Sequence, residues 1–282
     1  MLNSFLNLKK KGRKVIDCDF ESLEPHCFAS VSGDKKLQDI FNNNHDFYST
    51  VAIETEKLEG FSPDKKADNY LKKLDPVKRN KAKAYSLGIA YGMEAFALSK
   101  TLDIPQKEAQ KLVDGYLNGF PQLKEWRENS REFVKKNGYI KNKVGRIRHL
   151  PMVKKIYDKF GEQMLDWRFR KELEQKYEKD KIMKVYRDYR NGLNNCLNFQ
   201  LQSLAAAVVN RAAVQINRKA KELGYDAIVQ AQIHDQLIIN IREDQAESFA
   251  PIVQELMENT TKLEGVTLKA PPEIADNFRD GH

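Results

Sequence analysis

Asp19 and Asp235 stand near opposite ends of this 282-residue chain. Between them they carry most of the chemistry that residue type and spacing allow it. Asp19 closes the short, mostly apolar run Val15 to Cys18, and Asp235 sits where two alternating runs reverse, between His234 and Gln236. Taken singly, each has a bland reading as a solvated turn or capping aspartate. Taken together, each projects from a strand end in a largely helical chain, and the two carboxylates converge if the strands are neighbours in one sheet. Two hard oxygen ligands with no His or Cys beside them suit magnesium better than zinc. A pair of such ions can stabilise the attacking and leaving oxygens of an in-line displacement.

A second set lies on one predicted helix. Arg79, Lys83, Leu87 and Tyr91 recur at steps of four, so they share a face. A basic stripe by itself reads as a solvated surface. The order cation, cation, apolar, aromatic also suits gripping phosphates at one end and packing against sugar and base at the other. Gly88 and Gly92 beside the stripe leave room for close approach of a ligand.

These residues need a scaffold. Val15 to Phe20 reads as a short buried strand, with a turn at Gly33-Asp34 and helix within Leu37 to Ile53. Pro76 can start a helix, and helical character runs from Lys78 to Ala97. Two more helices span Pro105 to Tyr116 and Gln122 to Lys136, broken by Phe120-Pro121. Gly138 to Gly145 looks like a small hairpin, and the charged stretch Leu165 to Tyr189 reads as a solvated helical insertion. Leu197 to Leu223 is a long amphipathic helix closed by Gly224, and Ile228 to Ile241 reads as strand, His234-Asp235 tip, strand. The tail from Lys269, with two prolines, shows little periodicity.

The bulk numbers set the class. At 41% hydrophobic residues the chain can bury a real core, and 48 Lys and Arg against 40 Asp and Glu leave a charge of +8 that favours polyanion partners weakly. Three cysteines with no C-x-x-C argue against a disulfide framework or a thiolate zinc site and fit a reducing, cytoplasmic compartment. The longest apolar run, Leu204 to Val209, is too short to span a bilayer. Met1 to Leu8 precedes its lysines, the reverse of a signal peptide.

In order along the chain, the motifs resemble family A DNA polymerases, of the bacterial DNA polymerase I and bacteriophage replicase type. The family's D-Y-S-Q-I-E-L-R appears as Asp19-Phe20-Glu21-Ser22-Leu23-Glu24-Pro25-His26. Its Arg, Lys, aromatic, Tyr-Gly spacing appears as Arg79, Lys83, Leu87, Tyr91-Gly92. Gly138-Tyr139 with Gly145 to Pro151 resembles G-Y-V…G-R-R-x-x-L-P, and Asn198 to Ala206 resembles N-x-P-x-Q-G-T-A-A. Gln232-Ile233-His234-Asp235-Gln236-Leu237 matches Q-V-H-D-E-L, and the terminal His282 matches the family's usual ending.

The resemblance implies an α+β fold, with a small antiparallel palm sheet and a helical fingers subdomain. It places palm at 1–60 and 197–282, fingers at 61–137, and a hairpin with the charged insertion at 138–196. It implies addition of dNTPs to a primer 3′ end on primer–template DNA with two Mg2+ ions. Asp19 and Asp235 match the metal-binding aspartates, and Lys83 matches the residue that stabilises phosphate charge during catalysis. Arg79 matches the phosphate grip and Tyr48 the triphosphate-reaching position. Glu24 matches the residue that excludes a ribose 2′-hydroxyl, and Leu87 and Tyr91 match the lining of the nascent pair. Asn198, Gln202, Gln232, His234 and Arg148 match residues that contact DNA.

Departures are also visible. Leu87 replaces Phe or Tyr, Gln236 replaces Glu, Tyr48 replaces the His of D-I-H, and His26 replaces Arg beside an unusual Pro25. Nothing in the chain corresponds to the family's thumb or exonuclease domains. The expectation is therefore a split or truncated polymerase completed by a second polypeptide that supplies the thumb and remaining palm, with an open edge beside the first strand. The alternatives are a non-catalytic DNA-binding remnant and a single-subunit RNA polymerase; Glu24 argues against the latter.

Overall fold

The computed structural model describes residues 12–276, so the Met1 to Leu8 run and the His282 ending lie outside the described residues. Contacts divide the chain into two compact units, Met1–Cys27 with Leu204–His282, and Phe28–Ser203.

The first unit is built on a four-stranded antiparallel sheet in the order β4-β5-β1-β6. Its strands are β1 (Arg13–Asp19), β4 (Ala227–Ile233), β5 (Gln236–Arg242) and β6 (Pro272–Ala275). Burial follows position in the sheet. β5 is buried from Gln236 to Ile241, and β1 buries Val15 to Cys18. β4 lies at one edge and alternates, with Ile228, Gln230 and Gln232 exposed. A bulge between Val229 and Ala231 shifts β4 by one residue against β5 before the strand reaches its tip. The helix α12 (Ala246–Asn259) packs on β1 and β6 and buries Phe249, Val253 and Met257. Its Phe249 ring lies 4.6 Å from that of Tyr225.

β6 corrects two expectations. The tail contains a strand, led by Pro272, which fits the first position of an edge strand because it needs no amide donor there. β1 consequently has neighbours on both sides, β5 and β6, and no open edge. The four-residue tail strand was hidden because its partner is the start of the chain.

The second unit is helical apart from one hairpin, β2 (Tyr139–Lys141) with β3 (Ile147–His149). In chain order its helices begin with α1 (Leu23–Ser32), which crosses from the first unit, then α2 (Lys35–Asn42), α3 (Phe47–Glu56) and the short α4 (Leu71–Leu74). Next come α5 (Pro76–Ala90), α6 (Ala95–Leu102), α7 (Gln106–Gly119) and α8 (Pro121–Asn137). After the hairpin follow α9 (Pro151–Phe160), α10 (Trp167–Glu174) and the 45-residue α11 (Lys179–Leu223), which runs on into the first unit. The helix expected within Leu37 to Ile53 is present as two helices, because Asp46 caps a fresh start by accepting from Ser49 N. The helix expected from Lys78 to Ala97 stops at Ala90, where Gly92 turns the chain at φ 99°.

Asp34 ties this unit together. Fully buried, it caps α2 through Leu37 N at 3.2 Å, and its other oxygen accepts from Gln122 N and Leu123 N at the start of α8, 3.1 and 3.3 Å away. One carboxylate therefore answers the free amides and positive ends of two helices. Asp34→Ala would leave those amides buried without an acceptor. It is expected to cost about 2–4 kcal/mol in urea unfolding, twice the usual loss for one cap.

The charged stretch is more than a solvated insertion. Ile182 and Tyr189 from it join Met164, Val153, Ile156, Leu193, Cys196 and Leu197 in one buried cluster. α11 starts at Lys179 and not near Leu197. Gly192 within it lies against the Val153 side chain, where a Cβ would collide, so this glycine allows close approach of α9.

Candidate functional site

In the first unit the sheet register brings the two aspartates to adjoining strand ends. Asp19, the last residue of β1, lies directly opposite Gln236, the first residue of β5, and Asp235 immediately precedes Gln236 in the two-residue tip. The tip is strained: His234 adopts φ 55°, an uncommon state for a residue with a side chain. Asp19 is exposed and Asp235 is half-buried, so both carboxylates are reachable. Asp19 lines a pocket of about 230 Å³ with Asp17, Phe20, Glu21, Gln236, Pro271 and Glu273. Among the described residues no three His, Cys, Asp or Glu side chains are grouped to hold a metal ion. Asp19 and Asp235, at adjoining strand ends, each offer hard carboxylate oxygens. That suits Mg2+, which usually takes one or two protein carboxylates and completes its shell with water and substrate phosphates.

Glu24 lies half-buried in the first turn of α1, just after Ser22 at φ 55°. His26 is buried and its Nδ1 lies 2.9 Å from Ser22 O. Burial holds its pKa below the ordinary histidine value, so it is a neutral structural residue where the family carries a cation. Gln232 and His234 are exposed beside the tip.

In the second unit α5 presents the stripe. Asp75 caps it through Lys78 N, with Pro76 in its first turn. Ala82, Tyr85, Ser86 and Ile89 are buried on its inner side, while Arg79 and Leu87 are half-buried and Lys83 is exposed. Arg79 is already engaged. Its Nε and Nη2 donate to the two oxygens of Asp46 at 2.8 Å each, a fork-to-fork pair. Burial pushes the Asp46 carboxyl up, but the hydrogen bonds from Arg79 and Ser49 outweigh it and hold Asp46 below the usual carboxylate range. Tyr48 serves both cations: its ring centroid is 5.2 Å from Arg79 Cζ and 5.9 Å from Lys83 Nζ. Lys83 makes no ion pair among the described residues, which leaves its ammonium as the available charge on this face.

Tyr91 caps α5, half-buried, its ring edge-on to Phe28 at 5.1 Å. The two glycines beside the stripe do not leave ligand space: Met93 fills the position over Gly88, and Asn194 with Arg131 fills the position over Gly92. Their role is internal close packing. Asn198 is half-buried and Gln202 exposed, one turn apart on α11, and Arg148 is exposed on β3. Two residues had no role assigned from sequence. Asp46 could have been found from the Asp46…Ser49 capping pattern, and Asp17 from its two-residue spacing to Asp19, which puts both on one face of β1.

The profile of DNA polymerase family A matches residues 3–280. DNA polymerase I of Pseudomonas aeruginosa is 27% identical over 274 residues, covering 96% of this chain and 25% of that protein. The thermostable DNA polymerase I of Thermus aquaticus is 26% identical over 256 residues, 91% of this chain and 26% of that protein. The chain therefore spans about a quarter of the length of these relatives. In fold it is similar to the POL domain of Pol1 from M. smegmatis, solved in complex with DNA primer-template and dNTP. The TM-score is 0.74 at 22% identity, over 95% of this chain and 40% of that one. On its sequence, this chain belongs to DNA polymerase family A.

Proposed function

We propose that this chain carries the nucleotide-joining centre of a template-directed DNA polymerase, extending a primer 3′ end with dNTPs as one part of a larger enzyme. The observation that carries the reading is the register of β1 on β5, which sets Asp19 opposite Gln236 and so beside Asp235. Asp19 and Asp235 would hold two Mg2+ ions, which when bound acidify the primer hydroxyl and neutralise charge on the phosphates.

The chain's own groups do the rest. Lys83, exposed and without an ion pair among the described residues, donates to phosphate oxygens of the triphosphate. Arg79, its Nε and Nη2 held by Asp46, turns its remaining N–H donors to the outer phosphates, and Tyr48 orients both cations. Leu87 and Tyr91 pack against sugar and base. Glu24 fills the space a ribose 2′-hydroxyl would need. Gln232, His234, Asn198, Gln202 and Arg148 contact the primer–template through polar donors that suit acceptors common to all base pairs. The chain spans about a quarter of its relatives' length, so the thumb and the remaining duplex grip would come from other segments, on this or a second polypeptide.

The test is primer extension by the purified chain, with dNTPs or NTPs, alone and with an upstream fragment of a family A polymerase. Extension with dNTPs that rises when the fragment is added supports the reading. Glu24→Ala is expected to raise ribonucleotide insertion by about 10- to 100-fold, as loss of a steric block worth ~1–3 kcal/mol would. No extension under any of these conditions marks the chain as a non-catalytic DNA-binding remnant.

A further inference from the structure

Gln236 stands where the family's final motif carries a glutamate, yet the site has not lost that carboxylate's neighbourhood charge. Nε2 of Gln236 lies 2.7 and 2.8 Å from the two oxygens of Asp17, across a sequence separation of 219 residues. Both side chains are buried, Asp17 at 5% and Gln236 at 6% exposure. Register explains the contact. Gln236 is directly opposite Asp19, and Asp17 precedes Asp19 by two, so all three share one face of the sheet. Glu273 on β6 lies directly opposite Asp17. A glutamate at 236 would set a second carboxylate against Asp17 in place of that amide donor. A buried carboxylate needs such a donor, because one left unpaired is strongly destabilising. Amide and carboxylate thus complement one another, with the carboxylate on β1 and the amide on β5.

We infer that Asp17 is a positioning residue of the metal site, acting through Gln236 in place of a glutamate beside Asp235; this rests on the reading of Asp19 and Asp235 as the metal-holding pair. Asp17 keeps a carboxylate in the wall of the Asp19 pocket, and its grip on Gln236 holds the first residue of β5, hence the tip that carries Asp235. A carboxylate that acts behind metal ligands typically changes metal affinity 10- to 100-fold when removed.

The experiment is a Mn2+ titration of the full chain followed by electron paramagnetic resonance, with thermal unfolding of each variant alongside. Asp17→Asn keeps an oxygen for the Gln236 amide and removes only the charge. It is expected to weaken Mn2+ binding 10- to 100-fold with little change in melting temperature. Gln236→Glu alone abuts two carboxylates and is expected to lower the melting temperature. The double variant Asp17→Asn with Gln236→Glu exchanges the two ends of the pair and is expected to bind Mn2+ within about threefold of the parent. Parental affinity in Asp17→Asn overturns the inference, as does a double variant no better than the single one. If Asp17→Asn fails to fold, the double variant decides: parental affinity supports the inference and a tenfold loss overturns it. Asp19→Asn separates the two layers. If it leaves Mn2+ binding unchanged, the metal assignment itself falls; if it abolishes binding while Asp17→Asn does nothing, only the positioning role falls.

Discussion

Asp19→Asn and Asp235→Asn are each expected to lower single-turnover nucleotide addition by about a thousandfold or more, in the complemented enzyme if the chain idles alone. The size follows from the chemistry: cation stabilisation of a transferring phosphoryl group is worth several kcal/mol, and about 4 kcal/mol is a thousandfold. Folding should survive both changes. Asp19 is exposed at a strand end and Asp235 sits in a turn, so urea midpoints should move by no more than about 0.5 kcal/mol equivalent. The sheet itself is held by the β1–β5 backbone ladder and by apolar residues such as Ile16 and Ile239, which neither substitution touches. Extension within tenfold of the parent by either variant would remove these residues from the metal-holding role.

The two cations of α5 should separate cleanly when each is truncated. Lys83→Ala removes an exposed ammonium, so stability should hold while nucleotide addition falls about 10²- to 10³-fold, the usual loss for one donor aimed at developing charge. Arg79→Ala breaks the two-hydrogen-bond pair to Asp46 and strands a buried carboxylate that also caps α3. It should cost about 2–3 kcal/mol in stability as well as raising the KM for dNTP. Equal effects on stability from both substitutions, or a Lys83→Ala variant with parental kcat, would contradict this division of labour.

How much of this was legible in the sequence depended on the range of the interaction. The tip at His234-Asp235 and the strands flanking it could be read locally, from alternation about a two-residue reversal, and so could β1, from its run of buried β-branched residues. The stripe from Arg79 to Tyr91 was equally open to reading, because a four-residue step is a property of the helix alone. What stayed hidden had a distant partner. β6 has four residues and a proline, and only β1 makes it a strand. The start of α11 at Lys179 was masked by polar composition, since Ile182 and Tyr189 become core only against α9 and α8. Asp46 could be seen as a cap, but its hold on Arg79 crosses 33 positions. The Asp17–Gln236 contact spans most of the chain and leaves no local trace beyond two aspartates at alternate positions.

That span also shapes how the protein is made. β1 leaves the ribosome long before its ladder partners on both edges, which come from residues 236–242 and 272–275. At ordinary elongation rates of about 5–20 residues per second, on the order of tens of seconds pass before β5 can leave the ribosome. Throughout that interval Val15, Ile16 and Cys18 belong to an unpaired apolar strand, while the helices of the second unit, rich in local contacts, can form. The nascent chain is therefore most exposed to chaperones and to mispairing at the segment that later carries Asp19. Closure of this sheet is a late, long-range event, and the residues at its seam, Asp17 and Gln236 among them, meet only after the 219 positions that separate them have been made.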